Sequence, residues 1–341
     1  IWIRKRLMQG ARSIALQTLS FFDTNGYISF KKVEMALSTL SSSDRSFCVN
    51  LIYGVLRKRI RIDYELSRFL RKPSKLPVAV RNALRIGIFQ IMFLDTVPEY
   101  AAVNSSVNLV GVREFRDLVN AVLRKISDTG YSNNQPLNVF YSHPEWLVEY
   151  WREVEWIDDV EELLEYNQTP PTQTVLASGK EDELIEKGFI FDKSEYSELC
   201  TVFQKGSSIE NLETLDEVEY ILTEVGVPVV KHSGSLTGRI NAMPWLLHTL
   251  TRDSLDIASH KAKTLLKSFS KEHNDFIYYS QAITREENDM AIGVLGEFES
   301  TKMGHFFSER NIVARFDGRG YWLQPWKAPL VCYVARLRRK K

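Results

Sequence analysis

Apolar residues recur at helical spacing through the first 130 residues, and this periodicity constrains the fold more than any other feature of the chain. Ile14, Leu16, Leu19 and Phe22 mark the first such face, and runs of the same kind cover 31–40, 44–60, 62–70, 77–95, 101–111 and 114–127. Asn25-Gly26, Ser41-Ser42-Ser43, Pro73, Pro98 and Gly130 punctuate them, because glycine and proline end helices. Ser43-Asp44 reads as the N-cap of the run from Phe47 to Leu56. The expectation is an all-helical bundle over residues 1–135 with no strand inside it.

Charge divides the chain again. Residues 1–140 hold 21 Lys/Arg against 10 Asp/Glu, residues 141–230 hold 5 against 22, and residues 231–341 hold 18 against 11. A net charge of +1 therefore conceals segments of +11, −17 and +7. The basic front can supply the sequence-independent attraction to phosphate that nucleic-acid binding needs. Its candidate contacts are Arg4, Lys5, Arg6 and Arg12, with Arg57, Lys58, Arg59 and Arg61. The basic end, Arg336, Arg338, Arg339, Lys340 and Lys341, is either a further phosphate contact or a solubilising terminus.

The rear of the chain switches to strand-like runs. Phe276 to Tyr279 reads as a buried strand that ends at Ser280-Gln281-Ala282, before a polar helix start with Thr284, Glu286, Glu287 and Asn288. Chain leaving the carboxyl end of a strand is where open α/β sheets place their chemistry. Asn311 to Phe316, Gly320 to Leu323 and Leu330 to Leu337 read as closing strands, with Gly318/Gly320 in a hairpin turn.

Several of these stretches resemble the Sun/RsmB family of bacterial 16S rRNA cytosine-5 methyltransferases. SDRSFCVNLIYGVLR (43–57), LPVAVRNALRIGIFQIMFLDTVPEYAAVNSSVNL (76–109) and LVNAVLRKI (118–126) are similar to the NusB-like RNA-binding domain at the front of those proteins. Tyr141 to Val148, with Pro144 near a helix start, and Asn167 to Pro171 resemble the family's linking segment; the arginine of the Arg-x-Asn strand that follows it is missing here. The resemblance thus divides the chain into a helical domain (1–135), an acidic linking segment of small α+β type (136–225) and a shortened Rossmann-like methyltransferase sheet (226–341).

The resemblance also implies a site, and the chain departs from it. FIYYSQAITREEN (276–288) resembles a strand followed by Thr-Cys-Ser and a Glu-Glu-Asn run, with Gln281 at the cysteine. Val227 to Trp245 resembles a strand followed by Asp-Ala-Pro-Cys-Ser-Gly and Arg-Arg-x-Pro; Ser233, Gly234, Arg239 and Trp245 match, Val229 and Lys231 replace the Asp and Pro, and His232 stands at the attacking cysteine. A thiolate adds to a pyrimidine ring, whereas an amide does not and imidazole is a poor substitute. The family's glycine-rich turn and the acidic residue that holds the ribose of S-adenosylmethionine have no counterpart.

Other chemistries fit less well. The six histidines form no His-x-x-x-His pair, the three cysteines are far apart, and Ser233 lacks a nucleophile elbow. Asp23-Thr24-Asn25-Gly26 would make Phe21 and Lys32 the end ligands of a calcium loop, which excludes one. No apolar run reaches membrane-spanning length and the first residues lack a signal-peptide stretch, so neither a membrane span nor export is expected, and three scattered cysteines fit a reducing cytoplasm. The sequence favours an RNA-binding protein, its RNA ribosomal, with no catalysis and no cofactor. The alternatives are a working S-adenosylmethionine-dependent methyltransferase and a NusB-like antitermination factor.

Overall fold

The computed structural model describes residues 10–132, 134–169, 173–176, 181–186, 188–194, 199–204, 217–232, 250–323 and 333–341. The chain divides into two compact units, residues 1–145 and 146–341.

Seven helices build most of the first unit: α1 (Ala11–Asn25), α2 (Phe30–Leu37), α3 (Ser42–Arg57), α4 (Arg59–Phe69), α5 (Val78–Phe93), α6 (Glu99–Asn108) and α7 (Arg113–Thr129). A short helix, α8 (Leu137–Phe140), follows them. No strand occurs among the described residues of this unit, as the helical periodicity predicts. Ile14, Ala15, Thr18, Leu19 and Phe22 bury one stripe of α1, which Gly26 ends in the left-handed conformation at φ 76°. The N-cap of α3 is Ser41, not Ser43: the Ser41 hydroxyl accepts from the Asp44 N–H at 3.1 Å, so the helix begins two residues earlier than its apolar run suggests.

α5 is the central helix, buried on nearly every side from Val80 to Gln90. Two glycines permit its close approaches. A Cβ on Gly54 of α3 would stand 2.1 Å from the Phe89 ring, and one on Gly87 would stand 2.4 Å from Leu123 of α7.

A polar network ties α1, α4 and α5 together. Asp23 accepts from Arg59 at 2.7 Å, Arg85 at 2.9 Å and Asn82 at 3.2 Å, and Arg85 also grips Asp63 at 2.6 and 2.7 Å. Burial raises the Asp23 pKa, but Arg59 and Arg85 outweigh it and hold the carboxyl below its ordinary range. The residue that opens the rejected calcium motif is thus a structural hub.

The second unit opens with α9 (Glu145–Arg152) and α10 (Val160–Tyr166). A small antiparallel sheet follows, β1 (Gln173–Leu176), β2 (Ile190–Lys193) and β3 (Leu199–Gln204) in the order β1-β3-β2, with α11 (Glu181–Glu186) between β1 and β2. After α12 (Glu217–Thr223) comes the main sheet: β4 (Val229–His232), β5 (Asp275–Ser280), β6 (Phe298–Thr301), β7 (Ala314–Phe316), β8 (Tyr321–Leu323) and β9 (Tyr333–Arg339). Its order is β4-β5-β9-β8-β7, with β6 also paired to β9.

Among the described residues of this sheet only β4 and β5 run parallel, joined by a crossover that contains the 21-residue helix Arg252–Glu272, and the other pairings are antiparallel. This is a mixed sheet of reduced size. One face of β5 and its neighbours forms a core of Ile277, Tyr279, Phe307, Tyr321, Leu323 and Val334. The other packs Phe276 edge-on against Phe269 and Phe298. The closing strand holds its own charges. Asp275 accepts from both Arg336 and Arg338, and Arg339 donates to Asn274, Glu297 and the Ser270 carbonyl.

Candidate functional site

His232 is the last residue of β4 and lies opposite Ser280, the last residue of β5, in the parallel register. Gln281 follows directly. The two positions that the resemblance assigns to cysteines are therefore side by side at the carboxyl edge of this parallel pair.

The His232 side chain does not face solvent. It is 2% exposed, and its Nε2 lies 3.2 Å from Oε1 of Glu287, which is itself fully buried. The other Glu287 oxygen accepts from the Thr284 hydroxyl at 2.7 Å. The Tyr278 ring lies 6.3 Å from the imidazole at an interplanar angle of 25°, and its hydroxyl donates to the Glu287 carbonyl at 2.5 Å. Burial first, and then the Glu287 charge, drive the Tyr278 pKa well above its ordinary value.

Each residue of the Glu286-Glu287-Asn288 run has a structural partner. Glu286 accepts from the Tyr150 hydroxyl at 2.8 Å, Glu287 meets His232, and Asn288 donates to the carbonyls of Ala282 and Thr284 at 2.9 and 2.8 Å. The helix expected from Thr284 onward begins only at Asp289, because the intervening residues form this buried turn. α9 closes over the same loop: Trp151, fully buried, donates its indole N–H to the Ile283 carbonyl at 3.1 Å.

An imidazole next to a carboxylate can act as a general base, but only when a substrate reaches it. Here both groups are occupied with one another inside the core. Sequence reasoning placed His232 at a site position but Glu287 only in a polar helix start. Nor did it find Tyr150 and Trp151, which lie 136 and 132 residues from their partners. The one described cysteine side chain, Cys48, is buried in the helical unit, and burial pushes its thiol up to about 12. No metal-binding cluster occurs among the described residues.

The cationic candidates separate into two groups. Arg59 is 7% exposed and bound to Asp23 and Asp63, so its charge serves the interior. Arg12 donates to Gln90 at 2.8 Å and lies 4.7 Å over the Phe47 ring; burial lowers its pKa and Asp44 opposes that.

Arg57, Lys58 and Arg61 form a different arrangement at the α3–α4 turn. Lys58 and Arg61 lie over the Phe93 ring at 5.4 and 5.5 Å, and Arg61 also over Phe140 at 4.2 Å. Arg57 and Arg61 are half-buried, and no carboxylate among the described residues is within ion-pair distance of either. Their Nε atoms are buried without a hydrogen-bond partner, and burial lowers both pKa values, with Glu65 opposing at Arg61. A partly desolvated guanidinium without a carboxylate is costly for the fold and well suited to phosphate. Arg4, Lys5, Arg6 and Arg239 lie outside the described residues, as do Ser233, Gly234 and Trp245. No helix among the described residues is long and apolar enough to cross a membrane.

Comparison with known proteins matches residues 9–128 to the NusB family. Over 215 residues the chain is 27% identical to the probable ribosomal RNA small subunit methyltransferase B of Bacillus subtilis, a match that covers 58% of this chain and 48% of that protein. It is 30% identical over 180 residues to the protein of the same name from a Synechocystis species, covering 48% and 40%. The transcription antitermination protein NusB of a Nocardioides species is 28% identical over 121 residues, 34% of this chain and 90% of that protein. The chain spans about half the length of the methyltransferase relatives it matches.

Among solved structures, PH0851 superposes with a TM-score of 0.72 over 98% of this chain and 100% of that one, at 14% identity, which shows a shared fold. Residues 9–128 thus match the NusB family, and the chain is similar to the bacterial proteins named ribosomal RNA small subunit methyltransferase B.

Proposed function

We propose that this protein binds structured RNA, ribosomal RNA foremost, and transfers no methyl group. The observation that carries this reading is the state of the two strand-end positions: His232 is sealed against Glu287 in the core, and Gln281 offers no thiolate. Attack on a pyrimidine ring needs an exposed nucleophile, and release by the family's route needs a second one.

The implied cofactor does not fit the residues present. In the family that the chain resembles, a glycine-rich turn after the first strand and an acidic residue ending the second would hold S-adenosylmethionine. Among the described residues β4 pairs only with β5, and the chain has no such turn. We derive no chemical step through that group.

The RNA contacts we assign are Arg57, Lys58 and Arg61, with Arg4, Lys5, Arg6 and Arg12 as further candidates and Arg239 in the second unit. Arg59 is left out because its guanidinium is held by Asp23. Similarity to the NusB domain and to proteins named for ribosomal RNA supports the choice of ligand. Filter binding of the full chain to a ribosomal RNA fragment across a salt series tests it. Affinity should fall linearly with salt on logarithmic axes; an affinity indifferent to salt contradicts the reading.

A further inference from the structure

A second feature of the rear unit involves neither His232 nor Gln281. A cleft of about 390 Å³ opens between the chain that follows α9 and the β7–β8 hairpin. Four carboxylates, Glu153, Glu155, Asp289 and Asp317, and two guanidiniums, Arg285 and Arg315, line it, a net charge of −2. Its wall is aromatic: Trp156 and Trp322 stack with centroids 4.1 Å apart and planes 8° from parallel, and Phe316 is 38% exposed beside them.

The charges are not equivalent. Asp317 is occupied by the hairpin, accepting from the N–H groups of Arg319 and Gly320 and the indole of Trp322. Asp289 is gripped by Arg285 at 2.9 Å. Glu155 is different: its side chain is 92% exposed and 3.9 Å from Arg315, which bonds the Glu155 carbonyl more firmly. Glu153 is likewise exposed. The lining thus presents two solvent-facing carboxylates and a partly exposed Phe316, with the Arg315 guanidinium held at the Glu155 carbonyl and only distantly paired with the Glu155 carboxylate.

That combination attracts cations. Exposed carboxylates and an accessible aromatic ring in one cleft are the elements that receive guanidinium or ammonium groups, while a net negative lining repels a phosphate backbone. We propose that this cleft docks an arginine side chain of a basic polypeptide, with Arg315 acting as the resident cation that the incoming one displaces. The proposal stands independently of the RNA reading, none of whose assigned contacts among the described residues lines this cleft.

The test uses the full chain and a fluorescein-labelled hexa-arginine peptide, read by anisotropy at fixed moderate salt. Glu153→Gln with Glu155→Gln should weaken binding about fivefold to tenfold, and Phe316→Ala about threefold. Arg315→Ala should strengthen it about threefold, because the competing cation is gone. Glu161→Gln with Glu162→Gln, exposed acids on α10, should leave it within about twofold of wild type. Equal losses in the cleft and α10 variants would mean diffuse acidic attraction and overturn the proposal. So would weaker peptide binding by Arg315→Ala. A labelled oligouridylate that binds wild type and is lost in Arg285→Ala with Arg315→Ala would replace the basic peptide with nucleic acid.

Discussion

His232 Nε2 lies 3.2 Å from Glu287 Oε1, and neither side chain is more than 3% exposed. The pair joins the end of β4 to the turn after β5, so it closes the strand edge that carries both strand-end positions. Removing Glu287 takes away the carboxylate that both His232 and the Thr284 hydroxyl use. Glu287→Ala should therefore destabilise the rear unit by about 2–4 kcal/mol. Six of the seven tryptophans lie in residues 146–341, so intrinsic fluorescence during urea unfolding follows that unit selectively. An unchanged midpoint would show that the pair contributes nothing to the fold.

The front unit has its own buried charge, and Asp23→Ala should be the more damaging change there. It removes the shorter of the two ion pairs of Arg59 and one of the two carboxylates that hold Arg85, a loss of about 3–5 kcal/mol. Far-UV circular dichroism through urea reads the helical bundle; a loss under about 1 kcal/mol contradicts the role assigned to Asp23. Gly54→Ala should cost about 1–3 kcal/mol through overpacking against Phe89.

His143 predicts an acid sensitivity with a defined window. It is fully buried, and its Nδ1 lies 2.6 Å from the Tyr141 carbonyl oxygen. Burial lowers its pKa to about 3, opposed by that carbonyl and reinforced by Lys58. The folded state resists a proton that the unfolded chain accepts below about 6.5, so stability is full above that pH and falls as pH drops toward about 3. The loss should approach about 1.4 kcal/mol per pH unit in that interval. His143→Asn should flatten the slope; a slope that is unchanged would assign it to other groups.

RNA affinity should divide the basic residues by their partners. Replacing Arg57, Lys58 and Arg61 with alanine should reduce the salt slope by about 0.7–0.9 for each phosphate that is no longer neutralised. Because Arg59 is internal, Arg59→Lys should leave the slope unchanged while lowering stability, since Lys cannot span Asp23 and Asp63 together. Equal effects of the Arg57 and Arg59 changes on the slope would contradict this division.

The sequence made the front helices legible because their breaks are chemical: Gly26 does adopt positive φ, and Pro73 and Pro98 do fall between helices. It made β5 legible because Phe276 to Tyr279 are buried on both faces. It set His232 and Gln281 at two cysteine positions only through the resemblance, and that their strands lie side by side is seen only in the fold. What it missed are long-range polar interactions. Nothing local distinguishes Glu287, which is buried, from Glu286, which meets Tyr150, and charge counting could not separate Arg59 from Arg57 or Arg61. The same applies to Asp275, whose grip on Arg336 and Arg338 turns an apparent basic tail into a pinned closing strand.

The central claim, that the chain is a binding protein and not a methyltransferase, is tested most directly by tritium transfer. The full chain is incubated with ribosomal RNA and methyl-labelled S-adenosylmethionine, alongside the double variant His232→Cys, Gln281→Cys. The account predicts that neither labels RNA above background, because the cofactor's turn is missing as well as both thiols. Stoichiometric transfer by the wild-type protein would contradict it outright, and transfer by the double variant alone would show that a cofactor site survives.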